Sequence, residues 1–104
     1  MKESDIQSAI MTALTEHPRV VWAMVTTTGR VKAKGYWVSL GIPGLPDIVG
    51  MLRGGMSFGI EVKTPGNRPT ELQEGFIALC TAHGGVYGWA DSVDSALDII
   101  GRPA

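Results

Sequence analysis

The sequence is poor in cysteine and has no long apolar run. Cys80 is the one cysteine in the chain, so an internal disulfide is excluded and a reducing compartment is expected. No apolar stretch approaches the roughly 20 residues that a transmembrane helix needs, and the polar beginning does not have the pattern of a secretory signal. We therefore expect a cytoplasmic protein without a membrane partner.

An excess of charge of either sign is also missing. The formal net charge is -1, so electrostatics neither require nor exclude nucleic acid, and any nucleic-acid surface would have to be a local basic patch. Charged residues make up 18% and hydrophobic residues 44%, which is typical of a globular chain. The 104 residues are enough for one domain, residues 1–104, with a modest core.

Two short apolar strands joined by a glycine turn are predicted in the middle of the chain. The first strand begins at Asp47, and the second ends with Glu61 and Lys63, which share one face of the strand because side chains alternate. If the turn at Arg53–Gly55 folds the strands side by side, Asp47 comes close to Glu61. Two acids and one lysine then meet at one end of a sheet, which is costly unless a divalent metal lies between the acids.

A simpler explanation of this trio is a solvated strand face. The neighbouring apolar pairs Ile48–Val49 and Gly59–Ile60 argue against it, because they indicate central strands that are covered on both faces. Charged groups in such strands need partners.

An amphipathic helix is predicted over residues 2–16. Its apolar stripe consists of Ile6, Ala9, Ile10, Ala13 and Leu14. Glu3 lies on roughly the same face, either as an acid that the helix dipole stabilises or as a further acid of the site. Asp5 lies close enough in sequence to take that second role instead.

Residues 19–40 predict a β-hairpin with its turn at Thr27–Gly29. Arg30, Lys32 and Lys34 alternate along its second arm and would share a face, as a solvated surface or as a ridge that contacts phosphates. The aromatic residues of this segment are expected in the core more readily than stacked on bases. They are Trp22, Tyr36 and Trp37.

A second helix is predicted to begin after Thr70, which has capping-box spacing to Gln73. Gln73 therefore has a structural role, and it could also reach the Lys63 end of the neighbouring strand. The apolar stripe of this helix is predicted to be Leu72, Phe76, Leu79 and Cys80. A strand over 86–90 and a helix over 93–100 complete a mixed α/β architecture with a partly antiparallel sheet.

Five motifs occur in a fixed order over about residues 3–97: Glu3-x-x-Ile6-Gln7, Gly44–Ile48, Ile60–Gly66, Gln73-x-x-Phe76 and Gly84–Gly85. Taken together, these motifs resemble the VRR-NUC family of the PD-(D/E)XK nuclease superfamily, and the length of the chain is similar to the stand-alone versions found in phages and bacteria. The resemblance implies a single-domain, restriction-endonuclease-like mixed β-sheet flanked by helices.

The resemblance also implies roles for individual residues. Asp47 and Glu61 match the ligands of a divalent metal, Mg²⁺ or Mn²⁺, with the Val62 carbonyl as a backbone ligand. Lys63 matches the lysine that positions the attacking water or stabilises charge on the scissile phosphate. Glu3 matches the acid of the first helix, which acts through metal or water. The family glutamine corresponds to Gln73, and the candidates for DNA binding are Arg30, Lys32, Lys34 and Arg68.

The function expected from this resemblance is metal-dependent, structure-specific hydrolysis of phosphodiester bonds in DNA. Branched DNA such as a Holliday junction is the expected substrate, because a C2 homodimer presents two sites to two symmetric strands. The segment 20–40 is the expected dimer interface, and the cytoplasm of a bacterial or phage-infected cell is the expected location. Two alternatives remain open: a nuclease for flaps, single strands or nicked duplex that needs a partner, and a non-catalytic DNA-binding module on a nuclease fold.

Overall fold

The computed structural model describes residues 1–26, 29–40 and 42–101, with backbone alone for 29–33 and 36–40. Within these residues the chain forms three helices, a four-stranded sheet and a two-stranded sheet. In chain order the elements are α1 (Glu3–Glu16), β1 (Val20–Val25), β2 (Gly29–Ala33), β3 (Tyr36–Leu40), β4 (Ile48–Leu52), β5 (Ser57–Val62), α2 (Glu71–Ala82), β6 (Val86–Ala90) and α3 (Val93–Gly101).

The main sheet is mixed and has the strand order β1-β4-β5-β6. The pairs β1–β4 and β4–β5 are antiparallel, whereas β5 and β6 are parallel, as expected for two strands that α2 connects. The α/β class and the central position of β4 and β5 are thereby confirmed. None of the helices in the described ranges is long and apolar enough to cross a membrane.

The core lies between one face of this sheet and the helices α1 and α3. Phe58, Ile60 and Val62 are alternate residues of β5 and are fully buried, so they share the face that these helices cover. The apolar stripe predicted for α1 is confirmed for Ile6, Ile10 and Leu14 and wrong for Ala9, which is exposed, while Ala13 is half-buried. Both helices place apolar side chains in the core. Their buried residues are Ile6, Ile10, Leu14, Ala96, Ile99 and Ile100.

Helix α2 lies on the opposite face of the sheet, beside β6. Its Phe76 ring meets the Tyr87 ring edge to face, with centroids 6.3 Å apart. The predicted apolar stripe of α2 is wrong in part: Phe76 and Cys80 are half-buried, but Leu72 and Leu79 are 67% and 58% exposed. The helix packs against β6 and has no fully buried residue, so Leu72 and Leu79 remain exposed on its outer side.

The predicted hairpin over residues 19–40 is wrong. Strand β1 pairs with β4, and β2 pairs with β3 in a separate antiparallel hairpin whose turn is Lys34–Gly35. Both turn residues have positive φ, 50° and 81°, which suits a two-residue hairpin turn. Of the predicted turn, Thr27 and Thr28 lie outside the described residues.

This pairing changes the prediction for two side chains. Lys34 is an exposed turn residue and does not continue the alternation of the two basic residues before it in β2. Trp22 on β1 is 46% exposed and not in the core, because β1 is an edge strand of the main sheet. The side chains of Arg30, Lys32, Tyr36 and Trp37 lie outside the described part of the structure.

Candidate functional site

Asp47 and Glu61 lie opposite each other, where β4 begins and β5 ends. The register pairs Ile48 with Ile60, which places the preceding Asp47 directly across from Glu61. The turn that joins the two strands contains Gly54 and Gly55, both with positive φ (93° and 91°), as a tight connection requires. The predicted approach of the two acids is thereby confirmed.

Asp47 is held rigidly by the backbone around it. The Val62 N–H donates to Asp47 Oδ2 at 2.9 Å, so the carboxylate bridges from β4 to the end of β5. Thr26, just after β1, holds the other side: its N–H donates to the Asp47 carbonyl and its hydroxyl to the Pro46 carbonyl, each at 2.8 Å. The aspartate therefore keeps one orientation, as a preorganised ligand should.

Glu61 is the one charged residue among the buried side chains of the described chain, with 2% exposure. Its Oε1 accepts a hydrogen bond from Gln73 Nε2 at 2.9 Å and lies 3.8 Å from Lys63 Nζ. Its Oε2 is buried and has no hydrogen-bond partner within the described residues. A buried carboxylate oxygen without a donor is costly and needs an explanation.

The surroundings of Glu61 oppose its negative charge. Burial, together with the neighbouring negative charge of Asp47, raises the pKa of this carboxyl from 4.5 to about 8. Lys63 partly offsets them, and Glu3 adds a smaller repulsion. A buried carboxyl with a raised pKa, next to a second acid, is a place where a bound cation would be stabilising.

Gln73 connects this carboxylate to the beginning of α2. Its Oε1 accepts the Thr70 N–H at 2.8 Å, and its own N–H donates to the Thr70 hydroxyl at 3.3 Å, completing the predicted capping box. Because Oε1 is used by the cap, Nε2 is the end of the amide that points to Glu61. Both structural roles proposed for Gln73, the cap and the reach to β5, are present in one side chain.

The first helix contributes an acid at longer range. Asp5 accepts the Lys2 N–H through Oδ2 at 3.1 Å and therefore serves the beginning of α1. Glu3 is exposed in the same turn, and its charge raises the pKa of Glu61. Glu3, and not Asp5, is thus the acid whose field reaches the site.

Arg68 and Trp89 lie beside the site. Trp89 is the direct partner of Glu61 in the parallel pairing of β5 and β6, and no motif of the sequence pointed to it. The Arg68 guanidinium lies 5.9 Å from the centroid of the Trp89 ring, and its Nη2 is 3.8 Å from Glu74 Oε1. The predicted DNA-binding residue Arg68 therefore already has an aromatic and an acidic neighbour.

The donor set at this end of the sheet consists of oxygens. Asp47 and Glu61 offer carboxylates, and the Val62 carbonyl belongs to the same strand end. Within the described ranges, no group of three or more His, Cys, Asp or Glu side chains is arranged to hold a metal ion. Two carboxylates with a backbone oxygen suit Mg²⁺ or Mn²⁺, which take oxygen ligands, and Mg²⁺ usually keeps several waters. The unpartnered Glu61 Oε2 fits such an ion.

The chemistry of this site follows from its own residues and distances. Comparison of the chain with protein-family models, with curated proteins and with solved structures finds no match.

Proposed function

We propose that this chain is a metal-dependent endonuclease that hydrolyses phosphodiester bonds in DNA. The observation that carries the proposal is the buried Glu61 carboxylate, whose Oε2 has no partner within the described residues and which lies against Asp47 and Lys63. A residue with a purely structural role would not be expected to combine burial, a neighbouring acid and an unused oxygen. A site that takes up a cation explains all three.

The fold supports the PD-(D/E)XK part of the proposal. The antiparallel β4–β5 pair is followed by α2 and then by β6, parallel to β5, and the candidate residues lie on β4, β5 and α2. Similarity to the VRR-NUC family would place the aspartate, the Glu-x-Lys pair and the glutamine at these positions.

The chain's own residues prepare the site for a phosphodiester. A divalent ion held by Asp47, Glu61 and the Val62 carbonyl would neutralise the charge of the phosphate and activate a water molecule. The Val62 N–H fixes Asp47, and Gln73 occupies Glu61 Oε1 so that Oε2 is left for a ligand. Together these contacts set the direction of both carboxylates before any substrate arrives.

Lys63 supplies the positive charge of the chain at this site. Its side chain is 16% exposed, and its Nζ lies at the carboxylate of Glu61. In hydrolysis a water oxygen bonds to phosphorus, the bond to the leaving oxygen breaks, and that oxygen takes up a proton. Lys63 is placed to orient the water or to stabilise the charge that collects on the phosphoryl oxygens.

Branched DNA cut by a homodimer is the substrate we propose. Strand β1 is an edge of the main sheet, and its exposed apolar side chains would suit a second copy of the chain. These side chains are Val21, Trp22, Met24 and Val25, between 42% and 56% exposed. Sedimentation of the protein on DNA tests this part: a stable monomer would contradict it.

Cleavage of a labelled substrate panel tests the function. The panel contains a four-way junction, linear duplex, a flap and a single strand, each in Mg²⁺, Mn²⁺ and EDTA. We expect symmetric cuts in the junction that need metal and are absent in Lys63→Ala. Arg53→Ala is the matched control, because it removes one positive charge at the opposite end of β4 and β5.

The other outcomes discriminate between the alternatives. Cleavage of flaps or single strands alone would keep the nuclease and reject the junction. An intact panel in Mn²⁺, together with DNA binding that persists in EDTA, would reject the nuclease in favour of a binding module.

A further inference from the structure

Positive charge is concentrated in the segment between β1 and β4. Residues 26–46 contain no Asp or Glu but three basic residues: Arg30, Lys32 and Lys34. The rest of the chain contains the other six of the nine basic residues and all ten acidic residues, so its formal charge is -4. A protein that is acidic elsewhere thus carries one cationic segment, and most of that segment is the β2–β3 hairpin.

The register of the hairpin separates its residues into two unlike faces. Alternate positions of a strand and their cross-strand partners share a face. One face holds the pairs Arg30–Ser39 and Lys32–Trp37, and the other holds Gly29–Leu40, Val31–Val38 and Ala33–Tyr36. The first face combines two cations with an aromatic residue, and the second contains no charge.

The hairpin is attached directly at the candidate site. It leaves the main sheet after β1 and returns to β4 at Asp47, the first acid of the site. The hydrogen bonds of Thr26 to the carbonyls of Pro46 and Asp47 hold the two ends of this excursion together. The cationic segment therefore begins and ends where a scissile phosphate would lie.

We propose that the β2–β3 hairpin is an arm that binds an unpaired DNA strand next to the site. Arg30 and Lys32 contact phosphates of this strand, and Trp37 stacks on one of its bases. Basic groups interleaved with an aromatic residue are the arrangement that binds single strands without sequence preference. This inference rests on the proposed nuclease function and adds the feature of the substrate that the enzyme holds: an unpaired strand, which a flap carries and which a junction offers when base pairs at its branch point open.

Binding without cleavage tests the arm. Fluorescence anisotropy measures the affinity of the protein for labelled oligothymidylate and for blunt duplex, in EDTA, over a range of salt concentrations. For the single strand, Trp37→Ala should weaken binding about 5- to 150-fold, and Trp37→Phe should restore most of it. The double variant Arg30→Ala/Lys32→Ala should reduce the slope of log K against log salt by about 1.4, or about 0.7 for each phosphate that the arm no longer neutralises.

The controls separate the arm from general charge. Arg53→Ala removes a charge outside the arm, and it should change affinity and slope little. Circular dichroism melts check that each variant is folded. Wild-type affinity of Trp37→Ala for the single strand, or equally weakened binding in Arg53→Ala and in the arm variants, would overturn the proposal.

The arm and the nuclease can fail separately. Weakened binding in the arm variants without any metal-dependent cleavage by the wild type would leave the arm and reject the nuclease. Metal-dependent cleavage by the wild type, together with unchanged binding in the arm variants, would support the nuclease and reject the arm.

Discussion

Replacement of Glu61 by glutamine should stabilise the metal-free protein, and increasingly so as the pH rises. In the unfolded chain this carboxyl loses its proton near pH 4.5, whereas in the folded protein it keeps it until about pH 8. Between these values the folded state binds the additional proton, so stability falls as pH rises. Glutamine has nearly the same shape and accepts the same hydrogen bond from Gln73, but it never carries the charge.

The size of the effect follows from the pKa values. A group that titrates at 4.5 unfolded and at about 8 folded removes roughly 3 kcal/mol of unfolding free energy between pH 5 and pH 8. For a domain of about this size that corresponds to a melting temperature lower by on the order of 10 °C. The difference between Glu61→Gln and the wild type should therefore grow by this amount over the same pH range.

Thermal unfolding in EDTA, followed by circular dichroism at intervals from pH 5 to pH 8.5, measures this difference. Glu16→Gln is the matched control, since Glu16 is exposed at the end of α1 and its replacement should not alter the pH profile. Parallel profiles of the wild type and Glu61→Gln would refute the reasoning, because Glu61 would then ionise alike in both states. Added Mn²⁺ should raise the wild-type melting temperature most at high pH, where metal competes with fewer protons, and should raise that of Glu61→Gln much less.

Five further substitutions test other contacts of the site and of the fold. Asp47→Asn keeps an oxygen that can accept the Val62 N–H, so the free energy of unfolding should change by about 1 kcal/mol or less. The rate of single-turnover cleavage in Mn²⁺ should nevertheless fall by a factor of about 10² or more. Gln73→Met and Thr70→Ala both disturb the capping box, and each should lower the free energy of unfolding in urea by about 1 kcal/mol. Only Gln73→Met also removes the hydrogen-bond donor to the Glu61 carboxylate, so only this variant should slow cleavage by more than about tenfold. Gly59→Ala would place a Cβ against the Tyr87 ring and should lower the free energy of unfolding in urea by about 1–3 kcal/mol. Gly75→Ala in α2, where a Cβ meets open space, should leave this free energy unchanged or raise it by up to about 1 kcal/mol.

The site was predictable from sequence because its central contact is local. A connection of four residues, 53–56, joins the strands that carry Asp47 and Glu61, and so short a connection leaves few possible registers. The capping box was predictable for the same reason, since Thr70 and Gln73 are three residues apart. Once α2 is in place, the reach of Gln73 to β5 follows from the cap.

The errors concern contacts between residues that are distant in sequence. No local signal shows that β1 pairs with β4, more than 20 residues later, and not with the strand that follows it. Trp89 reaches Glu61 only through the parallel pairing across α2, which depends on how that helix packs. Leu72 and Leu79 have helical spacing, but spacing identifies a stripe without showing how much of it the sheet covers.

The two ends of the β4–β5 hairpin differ in how well they should tolerate an insertion, and the turn at Gly54 and Gly55 is the tolerant end. Both glycines are exposed, and a Cβ added to either would meet no atom within 4 Å. The turn lies roughly 20 Å from Asp47 along the strand, at about 3.3 Å per residue. A fluorescent tag, a cleavage site or new chain termini introduced between these glycines should therefore leave the site intact, since exposed loop tips tolerate insertion. The same insertion between Pro46 and Asp47 would separate the two carbonyls that accept the hydrogen bonds of Thr26.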